Sequence, residues 1–446
     1  MRIIEPILRC DLYSFIHKSF YALNPGVKYL PNYHIWEIAK ALEGVTQGKI
    51  SRLIINVPPR YLKSHCVNVA WPAWLLGNNP ARKIISASYN GLLAVKHSVD
   101  CRFIMQSEWY EEIFPDLQFA KDQNEKNKFM TTERGFRMAT SVNGGITGEG
   151  GDFLIIDDPI NPAMAASKTA RDDVVEWFDQ TFSTRLNNKK KGAIVLVMQR
   201  LHEDDLSGIL LRRNGWKHLC LPAISAKGEL LHEAREGLKE IEMIKSDLGE
   251  YGFAAQYMQN PYKLENGLID KDWLQFYDKL PEENKGVYQS WDTAIKTGNN
   301  ADYSAGICFI ECENKFYVAD VVRGKFEYPE LKRRIVDFAE KWKADAVLIE
   351  DKASGQSIIQ DLKAETKLPI LAQMPKADKI TRLAAITPMI EAGKLCVPKY
   401  AEWYQQFEAE ILSFPESVND DQVDALSQFL TWVKWRGQQF VSLRRV

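Results

Sequence analysis

Short apolar runs ending in polar turns recur through the first half of the chain, with helical spacings between them. Leu53-Ile54-Ile55-Asn56-Val57, Lys83-Ile84-Ile85-Ser86-Ala87-Ser88, Phe153-Leu154-Ile155-Ile156 and Gly192-Ala193-Ile194-Val195-Leu196-Val197-Met198 read as strands buried on both faces, as in parallel sheets. Leu8, Leu12, Phe15 and Ile16, then Ile35, Ile38, Ala39 and Leu42, recur at helical spacing. Further helices are predicted from Cys66, over 91–113 and from Lys168 to Arg185, and paired strands between Thr131 and Thr140. Strands alternating with helices predict a doubly wound α/β domain.

The second half has a different rhythm. Gly286–Ala294, Ala305–Ile310 and Lys315–Val322 predict three successive antiparallel strands, joined through the polar turn Asn299-Asn300-Ala301-Asp302. A helix over Pro329–Trp342, a strand over Ala346–Asp351 and a last helix opening on acids near Asp420 complete an RNase H-like order. Between the halves lies charged helical sequence, Glu233 to Asp247. The predicted layout is a doubly wound α/β domain over 1–225, a hinge over 226–264 and an RNase H-like domain over 265–446.

The strand ends carry the chemistry. Leu53–Val57 runs through Pro58-Pro59-Arg60-Tyr61-Leu62 into Lys63-Ser64, the layout of a phosphate-binding loop opening a helix. Lys63 is placed to reach β/γ-phosphates and Ser64 to put a hydroxyl on Mg²⁺. Val57 and Leu62 stand where such loops want Gly, whose φ/ψ freedom lets backbone approach phosphate. Phe153–Ile156 ends in Asp157-Asp158, two carboxylates at the sheet edge where ligands of open α/β sheets bind. Asp157 is the candidate Mg²⁺ holder and Asp158 the group that polarises the attacking water. Gln199 and Arg200, ending the next strand, are candidate γ-phosphate sensors. Asn32-Tyr33-His34 is a candidate helix cap and adenine contact, with a plain capping histidine the competing reading. The glycine-rich turn Asn143–Gly151 reads either as a connector or as a contact to a polymer or neighbouring subunit. In the second half, Asp292, Glu350 and the Asp421/Asp424 pair occupy the slots in which RNase H-like folds gather carboxylates around two Mg²⁺ or Mn²⁺ ions. Asp420 is an alternative to Asp421, while Asp302, Asp320 and Asp351 read as solvated acids.

Composition narrows the picture further. Lys+Arg 57 against Asp+Glu 59 leaves a net charge of −2, so nucleic-acid binding must rest on local patches and be salt-sensitive. The seven cysteines show no metal-ligand spacing and read as reduced core residues of an intracellular protein. Neither a secretory leader nor a membrane-spanning run is read, which excludes membrane function classes.

A phosphate-loop domain followed by an RNase H-like domain resembles the large terminase subunit of tailed bacteriophages. The landmarks are Pro58-Pro59-Arg60 through Lys63-Ser64, Ile155-Ile156-Asp157-Asp158-Pro159, Arg200 to Leu206, Ala254 to Pro261, Trp291-Asp292-Thr293-Ala294, and Asp420 to Ala425. The resemblance implies an N-terminal P-loop (ASCE-type) ATPase domain and an RNase H-like (RuvC/integrase-type) nuclease domain. It implies ATP with Mg²⁺ at Lys63, Ser64 and Asp157, water activation by Asp158, and Mg²⁺ or Mn²⁺ at Asp292, Glu350, Asp421 and Asp424. Arg60 is the candidate transition-state cation, with Arg102, Arg137, Arg185 or a neighbouring subunit as alternatives. Gln199 and Arg200 would couple hydrolysis to domain movement. The implied partners are double-stranded DNA, a portal protein, a small terminase subunit and copies of the chain in a ring, a pentamer by resemblance. The implied place is the host cytoplasm, outside the mature virion. Two departures stand out, Leu62 where many relatives have Gly and Asp158 where many have Glu. Competing readings are a host repair or recombination ATPase-nuclease and a degraded prophage scaffold that only binds DNA.

Overall fold

The computed structural model describes residues 4–146, 148–262, 267–294, 303–375, 377–417 and 419–443. The polar turn at Asn299–Asp302 and Thr147 of the glycine-rich turn therefore lie outside the described residues. Two compact units emerge: residues up to 245 with 251–262, and 246–250 with 267 onward.

The first unit is built on β1 (Arg52–Asn56), β2 (Lys83–Ser88), β3 (Phe119–Asn124), β4 (Lys128–Thr131), β5 (Phe136–Ser141), β6 (Phe153–Asp157), β7 (Ala193–Met198) and β8 (Lys217–Cys220). Among the described residues they form one sheet in the order β3-β4-β5-β2-β6-β7-β1-β8. From β5 to β8 the neighbours are parallel, while β3, β4 and β5 pair antiparallel. The β-branched runs of β1, β6 and β7 are almost wholly buried because helices cover both faces. β7 lies between β1 and β6 in register Ile55↔Val197 and Asp157↔Val197, so the loop after β1 and the acids after β6 open at one sheet edge. The helices predicted before β1 are present as Ile4–Cys10, Leu12–Leu23 and Tyr33–Thr46.

The second unit contains β9 (Gln275–Tyr277), β10 (Gly286–Asp292), β11 (Ser304–Cys312), β12 (Lys315–Gly324), β13 (Ala346–Glu350), β14 (Ile370–Gln373) and β15 (Leu395–Pro398). Their order is β14-β13-β10-β11-β12-β15-β9. β10, β11 and β12 are an antiparallel meander, and β13 joins β10 in parallel after the helix Tyr328–Trp342. The helix Asp421–Leu443 packs its apolar side on this sheet, with Phe429 stacked on Phe309 at 3.9 Å. The stretch 352–416 also holds the helices Ala353–Glu365, Lys379–Glu391 and Tyr404–Ser413, which the apolar pattern does not announce. The buried face of Lys379–Glu391 explains why: Thr381 and Arg382 share it with Leu383, Ile386 and Ile390, which blurs the helical period.

No helix among the described residues is long and apolar enough to cross a membrane.

Candidate active sites

At the edge of the first sheet, the chain leaves β1 through Val57–Ser64 and enters a wide π-helical turn over His65–Ala70. Arg60 and Leu62 take positive φ, 69° and 61°. Leu62 thus occupies the left-handed conformation for which Gly is the usual residue. Beyond this loop lie the two acids. Ser64 Oγ donates to Asp157 Oδ1 at 3.1 Å, and Asn68 Nδ2 donates to Asp157 Oδ2 at 3.1 Å. Lys63 Nζ pairs with Asp158 Oδ2 at 2.8 Å. Four of the predicted residues, Lys63, Ser64, Asp157 and Asp158, therefore meet. Burial pushes both carboxyls above the usual range, opposed by Lys63 and, for Asp157, by the Asn68 and Ser64 hydrogen bonds.

Gln199 is buried beside this pair. Its backbone N–H favours the charged form of Asp158, and its side-chain Oε1 has no hydrogen-bond partner among the described residues. Arg200 is engaged elsewhere, its Nε donating to both oxygens of Asp205 at 3.0 Å. The arginine candidates separate clearly. Arg60 is exposed within the loop, Arg102 donates to Asn124, and Arg185 bonds Thr184. Arg137 is fully buried and donates to Asn68 O and Oδ1 at 3.0 and 2.9 Å, one step behind Asp157. His34 is buried against Tyr61 and His232, and burial lowers its pKa to about 4. Asn32 caps its helix by accepting from Tyr33 N at 2.8 Å.

In the second unit, β10 and β13 are parallel neighbours with Trp291 beside Ile349, so Asp292 and Glu350 emerge side by side at the strand ends. Asp424 is delivered from the last helix. One turn further, Gln428 Nε2 donates to Ser290 Oγ at 2.9 Å and anchors that helix to β10 two residues before Asp292. Ligand oxygens of Asp292, Glu350 and Asp424 lie within 4.8 Å of one another. These are hard oxygen donors, and the set fits a divalent cation of the Mg²⁺ or Mn²⁺ type. Burial raises the Asp292 carboxyl well above its ordinary value, reinforced by Asp424 and Glu350. Asp424 is raised by burial and restrained by Arg382 and Lys379.

Asp421 does not join the triad. It lies 3.5 Å from Arg323 Nη2, which also approaches Glu410 at 3.6 Å. Burial and Glu410 push its carboxyl up to about 6. Asp420 pairs with Lys379 at 2.7 Å.

Sequence reasoning missed a layer of residues behind both sites: Asn68, Lys352, Lys379, Arg382, Arg323 and Glu410. Lys379 and Arg382 share a helix face at i,i+3 spacing, a faint signal. Their meeting with Glu350 and Asp424 joins residues 32 to 45 positions apart in the chain and exists only in three dimensions.

The first unit is thus a mostly parallel α/β sheet with a Lys-Ser loop and paired acids at one edge, and the second an RNase H-like order of elements with a carboxylate triad. Residues 289–431 match the family model described as the terminase RNaseH-like domain. Among solved structures, the large terminase of a thermophilic bacteriophage is similar, at TM-score 0.55 and 12% identity over 88% of this chain and 98% of that one. The complex of that phage's terminase with ATP-gamma-S aligns over the same shares at TM-score 0.53 and 12% identity. A search of curated proteins finds no match. The second unit thus matches the terminase RNase H-like family over residues 289–431, and the chain as a whole has the large-terminase fold, in line with the resemblance read from the sequence.

Proposed function

We propose that the chain is a phage or prophage DNA-packaging motor that hydrolyses ATP to move double-stranded DNA and cuts it with a metal-dependent endonuclease. The observation that carries this reading is the meeting of Asp292, Glu350 and Asp424 inside the segment that matches the terminase RNaseH-like domain.

In the first unit, Lys63 is the phosphate-binding cation and Ser64 with Asp157 the Mg²⁺-holding pair. Lys63 now neutralises Asp158. Phosphates that draw Lys63 away leave a buried carboxylate without its counter-charge, which raises its basicity toward water. Asn68, held by Arg137, keeps Asp157 oriented. Arg60, exposed at the loop, is the stabilising cation of the transition state, and Gln199 reads the γ-phosphate from beside Asp158.

In the second unit, a bound divalent ion supplies Lewis-acid activation of water and of the scissile phosphodiester. Asp292, Glu350 and Asp424 are its carboxylate ligands, and Asp421 belongs to the supporting pair with Arg323. The terminase fold supports double-stranded DNA, a portal protein, a small terminase subunit and further copies of the chain as partners. On the same reading the chain acts in the host cytoplasm.

Supercoiled-plasmid cleavage and ATP hydrolysis by the full-length chain test the reading together. With Mn²⁺ the plasmid is expected to be nicked and linearised, and Asp292→Asn to abolish cleavage while ATP turnover continues. Lys63→Ala is expected to abolish turnover and leave cleavage intact. Cleavage that survives in folded Asp292→Asn protein would sink the nuclease assignment.

A further inference from the structure

The acid triad is already full of positive charge. Glu350 Oε1 pairs with Lys352 Nζ at 3.0 Å, and its Oε2 faces Arg382 Nη1 at 3.4 Å. Asp424 Oδ2 pairs with Lys379 Nζ at 2.7 Å, and its Oδ1 accepts from Arg382 Nη2. Every carboxylate oxygen of these two residues therefore has a cationic partner.

The three cations differ in how easily they leave. The side chains of Lys352 and Lys379 are 63% and 43% exposed, so either ammonium has a path into water once a divalent ion replaces its charge beside the carboxylates. Arg382 is 9% exposed, and its guanidinium has no comparable route. Its helix is pinned at the start by Asp378, which accepts from Thr381 N and Oγ1 at 2.9 Å, and beyond by buried Leu383 and Ile386. Withdrawing the guanidinium from both carboxylates would strand a buried charge, a heavily penalised state.

Resting on the endonuclease reading above, we propose that Arg382 is a permanent cation of this site and that the triad accordingly takes one divalent ion, not two. With the two lysines turned out to solvent, Asp292, Glu350 Oε1 and Asp424 Oδ2 would be free to hold one hard cation that keeps several waters. The remaining oxygens of these two carboxylates, Glu350 Oε2 and Asp424 Oδ1, stay on Arg382 and are withheld from a second ion. Charge balance agrees. Three carboxylates and one guanidinium leave two negative charges, which one divalent ion neutralises. Arg382 is then a positioning residue, acting through Glu350 and Asp424 and supplying the charge that a second metal brings elsewhere.

Mn²⁺ titration calorimetry on the full-length chain, with Asp292→Asn as the background, tests this. One ion per chain is expected to be lost with Asp292→Asn. Two would overturn the inference while leaving the nuclease reading intact; none would overturn both. Arg382→Gln is expected to bind two ions, visible as Mn–Mn spin coupling, with an unchanged circular-dichroism spectrum. A folded Arg382→Gln protein that still takes one ion would overturn the role of Arg382. Lys379→Met removes a competitor, so Mn²⁺ should bind up to about fivefold tighter at unchanged stoichiometry. Unchanged or weaker affinity would overturn the displacement step.

Discussion

Leu62 holds φ of 61°, a conformation that costs a branched L-residue on the order of 1–2 kcal/mol. Its side chain recovers part of that cost by packing against the first unit's core. Leu62→Gly removes strain and packing together and is expected to change stability by no more than about 1 kcal/mol. Leu62→Val keeps the strain and adds a β-branch, and should lose about 1–2 kcal/mol. Urea melts of the three proteins check the order; a more stable Val variant would refute it. Asp421 gives a second prediction at this scale. Its carboxyl is raised from 3.8 to about 6, chiefly by burial and then by Glu410, with Arg323 opposing. A carboxyl raised on folding contributes stability that is present below its unfolded pKa and is lost as pH rises through about 6. Asp421→Asn should therefore gain on the parent between pH 4 and pH 8 by on the order of 2–3 kcal/mol, measured in EDTA. A pH-independent difference would contradict the burial argument.

Elements are fastened by a few polar residues at their ends. The loop after β7 turns on Asp205, which accepts from Leu201 N at 2.9 Å and Gly208 N at 2.8 Å and caps the helix Leu206–Leu211. The same carboxylate neutralises buried Arg200 at 3.0 Å. Asp205→Ala removes the cap and strands the guanidinium, so a loss of about 3–5 kcal/mol is expected. Asp205→Asn keeps an acceptor and should lose less. Calorimetric melts decide, and equal losses would mean that the cap alone matters. Gln428 fastens an element in the same manner, tying the last helix to β10 so that Asp424 arrives opposite Asp292.

Each unit carries its own apolar core, on both faces of its own sheet. Thermal unfolding of the full chain should accordingly show two transitions. ATP-gamma-S over a Mg²⁺ background should raise one, and Mn²⁺ without nucleotide the other. The shift corresponds to about 2.7 kcal/mol at a hundredfold excess over Kd. A single transition that answers equally to both ligands would show that the units unfold as one.

Local pattern alone determined much of this protein. Uninterrupted β-branched runs marked β1, β6 and β7, because strands buried on both faces have no polar side to show. Adjacent residues that share one loop, Lys63 with Ser64 and Asp157 with Asp158, were legible because the strand that precedes them fixes where they emerge. Asp292 and Glu350 were legible for the same reason, as last residues of strands whose order was readable. Tertiary structure decided what depends on distant segments meeting. It brought Asp424 into the triad and turned Asp421 toward Arg323. It buried Arg137 behind Asn68, and it set Arg382 between Glu350 and Asp424. A buried charge follows no hydrophobic period, and its place is set by its counter-charge, which lies far along the chain and beside it only after folding.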